Sequence, residues 1–186
     1  MHPLFLKELK STIKHPDLWL YMSWVDIKMR YNRTKLGPFW MVILSFISIV
    51  CIACLGSILF HVKLGDFFPY VTCGMVVWTY MAAMITDSCN VFISQTGLIK
   101  HTNIRLLSFV FRLFFRNTIV FAHSLVIVTL VLIYFHVPFN SSILMLIPGF
   151  ITFFVTAISI AIILGLVCTR FRDVLQLVQA LIGVLA

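Results

Sequence analysis

Charged side chains are scarce in this sequence. Asp, Glu, Lys and Arg make up 11% of its 186 residues, hydrophobic residues make up 61%, and the mean hydropathy is +1.07. A soluble domain carries about 25% charged residues, so this chain has too few polar side chains to cover a water-facing surface. The composition excludes a soluble globular enzyme, an intrinsically disordered chain and a nucleic-acid-binding tail. We therefore expect an integral membrane protein that contacts lipids and binds no nucleic acid.

Motifs for chemistry are missing as well. None of the eight glycines is followed by lysine, so the chain has no Walker A loop for ATP. This predicts that it is not an enzyme, that it binds no cofactor or metal, and that any ATPase is a separate chain. Cys51 and Cys54 have a familiar metal-ligand spacing, but they lie within an uncharged run without a nearby histidine, which favours small-residue packing. The five cysteines, an odd number in or beside apolar runs, indicate no disulfide framework.

Long uncharged runs mark where the chain can cross a membrane. A helix needs about 20 apolar residues to cross roughly 30 Å of hydrocarbon. The runs predict four complete spans and a fifth that is too short to cross. The predicted spans are 39–60, 67–91, 117–135 and 143–167, with the incomplete fifth at 174–186. The sequence thus predicts an all-α membrane protein, in which an N-terminal segment (1–38) precedes a transmembrane domain (39–186).

Lysine and arginine are divided unevenly between the two sides of these spans. One side holds all but one of the 14 basic residues, and the other holds only Lys63. Basic residues accumulate on the cytoplasmic side of membrane proteins. We therefore predict a cytoplasmic N-terminus, with loops 61–66 and 136–142 outside. The first apolar run, Leu4 to Leu6, is too short for a secretory signal.

Residues 17–33 have the pattern of an amphipathic helix. Ser23, Asp26, Arg30 and Arg33 recur at helical spacing on one face, and Asp26 and Arg30 are four residues apart and able to pair. A basic amphipathic helix with tryptophans beside a span is expected to lie in the membrane interface. Two interpretations remain open. The helix is either a membrane anchor or a mechanical element that contacts a cytoplasmic partner.

Three stretches resemble one transporter family. Trp24 to Trp40, with Asp-Ile-Lys-Met-Arg-Tyr followed by Leu-Gly-Pro-Phe-Trp, resembles the motif that leads into the first span of type-2 ABC polysaccharide exporter permeases. Gln95 to Asn103 resembles the coupling segment of that family, although the proline often found there is absent. Leu164 to Asp173 resembles its Arg-Tyr-Arg-Asp turn between spans four and five. Because the re-entrant helices and sixth span of the family are missing, the chain resembles a C-terminally truncated member.

The resemblance implies a function and partners. The chain would be the permease subunit that exports a lipid-linked polysaccharide, such as the O-antigen of lipopolysaccharide or a capsule glycan, across the bacterial inner membrane. Its implied partners are a nucleotide-binding subunit, which would bind ATP and Mg, a second copy of the permease, and the glycan. The implied ATPase-coupling residues are Asp26, Arg30, Arg33, Gly97, Lys100, Arg105, Arg170, Arg172 and Asp173. Two alternatives stay open, namely a type-2 exporter of a small molecule or drug and a non-transporting membrane scaffold.

Asp87 is the one acid within an apolar stretch. It lies 21 residues after Asp66, roughly 31 Å along a helix, which places it near the cytoplasmic face. Acidic residues within membrane spans are candidates for functional sites. We expect Asp87 to line the cytoplasmic mouth of a translocation path or to pair with a basic residue.

Aromatic residues cluster at the outer ends of the first two predicted spans. They can form an interfacial belt, face lipid, or, as the resemblance implies, stack on sugar rings in a translocation path. These residues are Phe60, Phe67, Phe68 and Tyr70.

Small residues recur every four positions along the fourth predicted span, at Ala157, Ala161, Gly165 and Thr169. Such a stripe lets helix backbones approach closely. We therefore predict a packing face, either within the subunit or across a dimer. His123, in the third predicted span, is the one histidine that could face a cavity, and the alternative for it is core hydrogen bonding.

Overall fold

The computed structural model describes residues 8, 10–12, 14–31, 39–102, 104–137 and 144–185, with the backbone alone for residues 30, 31 and 39–41. The described part of the chain is helical and contains no strand. Its helices are α1 (Pro16–Tyr31), α2 (Phe39–Phe60), α3 (Leu64–Asn90), α4 (Thr96–His101), α5 (Leu106–Tyr134), α6 (Leu146–Arg170) and α7 (Arg172–Leu185).

Four of these helices are long and apolar enough to cross a membrane. They are α2 from Val42 onward and the whole of α3, α5 and α6, with 19, 27, 29 and 25 residues. The shortest of them covers about 29 Å at 1.5 Å per residue, which matches the thickness of the hydrocarbon layer. The chain is therefore an all-α membrane protein, and the fold class predicted from the sequence is confirmed.

Successive long helices run in opposite directions. Phe68 near the start of α3 stacks on Phe135 at the end of α5, with ring centroids 5.4 Å apart. Asp87 near the end of α3 contacts Arg116 near the start of α5. One end of the bundle, which we call the charged end, therefore holds α1, α4, the end of α3 and the first turns of α5. The opposite end, which we call the far end, holds the turns after α2 and after α5.

Both helices that arrive at the far end finish in the same way. His61 after α2 and His136 after α5 have positive φ values of 55° and 49°. In each case the next amide donates to the carbonyl five residues earlier, from Val62 to Ser57 (3.2 Å) and from Val137 to Leu132 (3.1 Å). This pattern satisfies carbonyl groups at a helix C-terminus and reverses the chain direction.

Helix α3 is the centre of the bundle and packs against α2, α5, α6 and α7. The ring of Tyr80, halfway along α3, lies 4.8 Å from the ring of Phe121 on α5 and 5.2 Å from that of Phe153 on α6, measured between centroids. Aromatic side chains bury large apolar areas, so this contact fixes the middle of the three helices relative to one another.

The small-residue stripe of α6 packs within the chain. Ala161 and Gly165 are buried, and a Cβ atom added to Gly165 would lie 2.8 Å from Val91 Cγ1 and 2.7 Å from Phe92 Cε2. Ala157, half-buried, packs against the same core. The side chains of Val91 and Phe92, which follow α3, therefore pack directly over Gly165 near the end of α6. Thr169 does not continue the stripe, because it is exposed.

The helix bounds differ from the predicted spans mainly at α5. Helix α2 coincides with the predicted 39–60, whereas α5 begins at Leu106 and the third span was predicted to begin at 117. The prediction ended the charged loop at Arg116 because it placed charged residues outside the spans. Arg112 and Arg116 instead lie within α5, since each is paired with a carboxylate on another helix. The incomplete fifth span corresponds to α7, which packs against α3 and α6.

Candidate functional site

Helix α1 lies along the first half of α5. The indole of Trp19 packs against Phe111 and Phe115, with centroids 5.6 Å and 5.8 Å away. One turn later, Ser23 Oγ lies 3.0 Å from the carbonyl oxygen of Arg112 and is fully buried. Trp19, Ser23 and Asp26 follow helical spacing, so they present one face of α1 to α5.

A bidentate ion pair completes this contact. Arg112 Nη2 donates to Asp26 Oδ1 at 2.6 Å, and Arg112 Nε donates to Asp26 Oδ2 at 2.7 Å. The two side chains are 16% and 12% exposed. Two parallel bonds from one guanidinium fix distance and orientation together, which a single contact does not. Helix α1 is therefore held to α5 in a defined register.

Arg112 also contacts the segment that leads into α4. Its Nη1 donates to Gln95 Oε1 at 3.4 Å, and Gln95 is the residue that precedes the first turn of α4. One guanidinium group therefore connects α1, α4 and α5. These are the N-terminal helix, the segment with the coupling-segment resemblance, and a helix long enough to span the membrane.

A second ion pair lies one helical turn further along α5. Arg116 Nη2 donates to Asp87 Oδ2 at 2.7 Å, and Asn117 Nδ2 donates to the same oxygen at 3.1 Å. Arg116 Nη1 also lies 3.9 Å from Asp26 Oδ2, which joins the two pairs. The expectation that Asp87 pairs with a basic residue is confirmed. We call Asp26, Asp87, Arg112 and Arg116 the charge network.

The charge network is electrically balanced, with two carboxylates and two guanidinium groups. Balance is needed because an unpaired charge near the membrane interior is costly. Within the described residues, no three His, Cys, Asp or Glu side chains lie together as metal ligands. The charge network therefore forms ion pairs between helices, and these pairs attach α1 and α3 to α5.

Two cavities meet at Asp87. One, of about 350 Å³, is bordered by Asp26, Gln95, Arg112, Arg116 and Asp87 itself. The other, of about 240 Å³, lies on the far-end side of Asp87 between α2, α3 and α5. Asp87 lines both of them. It therefore does line a cavity near the charged end, as well as pairing with Arg116.

Six of the other predicted coupling residues are described, and all six are exposed around the charged end. Gly97 and Lys100 lie on α4, and Arg105 precedes α5. Lys100 and Arg172 line one cavity of about 400 Å³, so α4 faces the junction between α6 and α7. At that junction, the exposed residues are Arg170, Arg172 and Asp173.

Asp26 differs from these exposed residues because it faces α5. Its partner among the described side chains is Arg112, whereas helical spacing suggested Arg30. The side chain of Arg30 lies outside the described part of the chain. The same holds for the whole of Arg33.

The predicted translocation-path residues do not form one site. Phe68 is buried against Phe135, whereas Phe60 and Tyr70 are 65% and 78% exposed. Phe67 packs over Gly56, where an added Cβ would lie 2.5 Å from its ring. Asp87 lies 19 residues beyond Phe68, roughly 29 Å along α3. The aromatic group and Asp87 therefore occupy opposite ends of the bundle.

The partners of Arg112 and Arg116 were not predicted from the sequence, in which the two residues count only among the basic residues of one side. Their spacing of four residues was the available signal, because it places both guanidinium groups on one face of a helix. His123 satisfies both of its predicted alternatives, since it lines the 240 Å³ cavity while its Nδ1 bonds the Ile119 carbonyl oxygen at 2.8 Å.

No protein-family model matches this chain, and no curated protein matches it.

Proposed function

We propose that this chain is the permease subunit of an ABC exporter. The observation that carries the proposal is the position of Arg112, whose guanidinium contacts Asp26 on α1 and Gln95 at the start of α4 while its backbone belongs to α5. This one side chain therefore links both surface helices to a membrane span. A simple membrane anchor needs no such connection.

The charged end offers a surface for an ATPase. Helix α4 is short, and both Gly97 and Lys100 on it are exposed, as is Arg105, which directly precedes α5. In the proposed mechanism, a separate nucleotide-binding subunit binds ATP and Mg, and its closure pushes on α1 and α4. The bidentate pair passes this displacement to α5, and Arg116 passes it to Asp87 on α3. The charged end is cytoplasmic in this proposal.

The proposed substrate is a lipid-linked polysaccharide, as the motif resemblance implies, and the proposed location is the bacterial inner membrane. Two copies of the permease would enclose the path. Aromatic rings exposed at the far end, such as Phe60 and Tyr70, suit contact with sugar faces or lipid in such an assembly.

Charge reversal at the exposed basic residues tests the coupling. We expect Lys100→Glu with Arg105→Glu to weaken association with the proposed partner ATPase about tenfold, since like-charge contacts at an interface cost more than 1.4 kcal/mol. The control is Lys63→Glu, an exposed charge at the far end. Co-purification and ATP-dependent export are measured in the assembled transporter.

Export and co-purification that match the control in the double variant would contradict the proposal. Membrane insertion should be the same in all variants, because none of the substituted side chains is buried. The scaffold alternative predicts no associated ATPase at all, so it gives a different result from a coupling failure.

Thiol labelling tests the orientation. A cysteine at Lys63 should react with an impermeant reagent in intact cells, because basic residues accumulate in the cytoplasm and this end has few. A cysteine at Lys100 should react only after lysis. The unsubstituted chain serves as the baseline for its own cysteines. Labelling at position 100 alone would reverse the proposed orientation.

A further inference from the structure

The cavity on the far-end side of Asp87 has more free hydrogen-bond acceptors than free donors in its lining. It has a volume of about 240 Å³ and is lined by residues of α2, α3 and α5. A neighbouring cavity of about 230 Å³ shares Ser45, Thr79 and Ser124 with it and reaches Ser48. Together they form a groove lined by several hydroxyl groups within the membrane-spanning part of the chain.

Most side-chain donors of this groove are already in use. Thr79 Oγ1 donates to the Met75 carbonyl at 2.7 Å, and Ser124 Oγ donates to the Val120 carbonyl at 3.2 Å. His123 Nδ1 must donate to the Ile119 carbonyl, because a carbonyl oxygen only accepts. The hydroxyl lone pairs and His123 Nε2 are left as acceptors.

Asn117 and Asp87, the two polar groups nearest the charge network, also leave only acceptors free. Asn117 Nδ2 donates to Asp87 Oδ2 at 3.1 Å and to Met84 Sδ at 3.4 Å, which uses both of its protons. Within the described residues, both partners of Asp87 bind Oδ2, so Oδ1 accepts no hydrogen bond there. Asn117 Oδ1 and Asp87 Oδ1 therefore add two more acceptors.

Tyr80 is the remaining side-chain donor described in the lining of the cavity. Thr118 Oγ1 donates to the Phe114 carbonyl at 2.8 Å, so it accepts from the Tyr80 hydroxyl, 3.4 Å away. The Tyr80 proton is therefore in use as well, and its ring, with that of Phe121, forms part of the cavity wall.

The charge of the cavity has one sign. Asp87 is the only charged side chain among the described residues that line it, whereas Arg116 lines the cavity on the other side of Asp87. The carboxylate of Asp87 is paired with Arg116 through Oδ2, so a cation in this cavity would share the carboxylate through Oδ1, and aromatic faces favour a cation further. None of the donors described above is free for an anion, and an alkyl chain would leave the acceptors unpaired.

We propose that this cavity binds the primary ammonium group of an amphiphile. An ammonium carries three N–H donors and a positive charge, which matches a lining of acceptors with one carboxylate. The apolar part of the ligand would extend along the groove between α2 and α3 toward lipid. The ammonium comes either from a membrane lipid with an ethanolamine head group or from an amine-bearing cargo. The proposal does not depend on the exporter function, since binding requires only this chain.

Thermal stabilisation of the purified chain in phosphatidylcholine nanodiscs tests the proposal. Dodecylamine should raise the melting temperature in a saturable way, because a ligand of the folded state shifts unfolding by mass action. Dodecyltrimethylammonium has the same charge and no N–H donor, and it should give no saturable shift. Equal shifts from the two compounds would overturn the proposal, since charge alone would then explain the effect.

A matched pair of variants locates the site. Thr79→Val removes one acceptor from the cavity at constant shape and should weaken dodecylamine binding about tenfold. Thr129→Val is the control, because Thr129 is exposed on α5, bonds Leu125 in the same way, and is not among the residues that line the cavity. Equal dodecylamine affinity in the two variants would overturn the proposed location.

Lipid composition distinguishes the two sources of the ammonium. Nanodiscs that contain phosphatidylethanolamine should weaken the apparent dodecylamine affinity if the head group of this lipid occupies the cavity. Unchanged affinity, together with the Thr79 effect, assigns the site to an amine-bearing cargo. These binding results do not depend on whether Lys100→Glu with Arg105→Glu abolishes export.

Discussion

Asp26→Asn is expected to lower the free energy of unfolding by about 3 kcal/mol, because it leaves Arg112 without its counter-charge in a largely buried position. The asparagine has nearly the same volume, so the change removes charge and little packing. Trp19 and Ser23 still hold α1 to α5. The variant should therefore insert and fold while its melting temperature falls by roughly 6–12 °C, given the usual shift per kcal/mol for a chain of this size.

The matched control lies on the same helix. Asp17 is exposed at the start of α1, and Asp17→Asn should change stability by less than about 0.5 kcal/mol. Thermal unfolding in one detergent, followed by tryptophan fluorescence, compares the two variants. The exchanged pair, Asp26→Arg with Arg112→Asp, should recover part of the loss. Equal melting temperatures for Asp26→Asn and Asp17→Asn would show that the ion pair contributes nothing.

The positions of the membrane helices could be predicted well from composition. Helix α2 lies within an uncharged run between Lys35 and His61, so the absence of charge locates it directly. Helix α5 shows the limit of this reasoning. Its first turns contain Arg112 and Arg116, whose charges are matched by carboxylates that lie 86 and 29 residues earlier in the chain. A local pattern carries no information about such distant partners.

The candidate site was predictable only in part, because some of its contacts join residues that are distant in the sequence. Asp87 stands out in the sequence because an acid in an apolar run needs a partner or a cavity. Asp26 was recognised on the polar face of α1, but helical spacing suggested Arg30 as its partner. The geometry of α1 against α5, which brings Arg112 to Asp26, depends on Trp19 packing over Phe111 and Phe115. That contact is a product of tertiary packing.

Gly165→Leu is expected to destabilise the chain by about 3 kcal/mol, at the upper end of the usual cost of overpacking. A Cβ at this position would already lie 2.8 Å from Val91 Cγ1 and 2.7 Å from Phe92 Cε2. Val91 is β-branched and cannot rotate away freely, so α6 must move away from the Val91 and Phe92 side chains that follow α3. Because this contact lies near Gln95 and α4, the variant should also weaken the attachment of α4.

Gly149→Leu is the control for this change. Gly149 belongs to the same helix, and no atom lies within 4 Å of the Cβ that it would gain. Leucine is also a better helix former than glycine by up to about 1 kcal/mol, so the control should be neutral or stabilised. The melting temperature should therefore fall for Gly165→Leu and stay the same or rise for Gly149→Leu. A common shift would mean that α6 adapts at Gly165 as easily as at its exposed start, and that this close approach does not hold the bundle together.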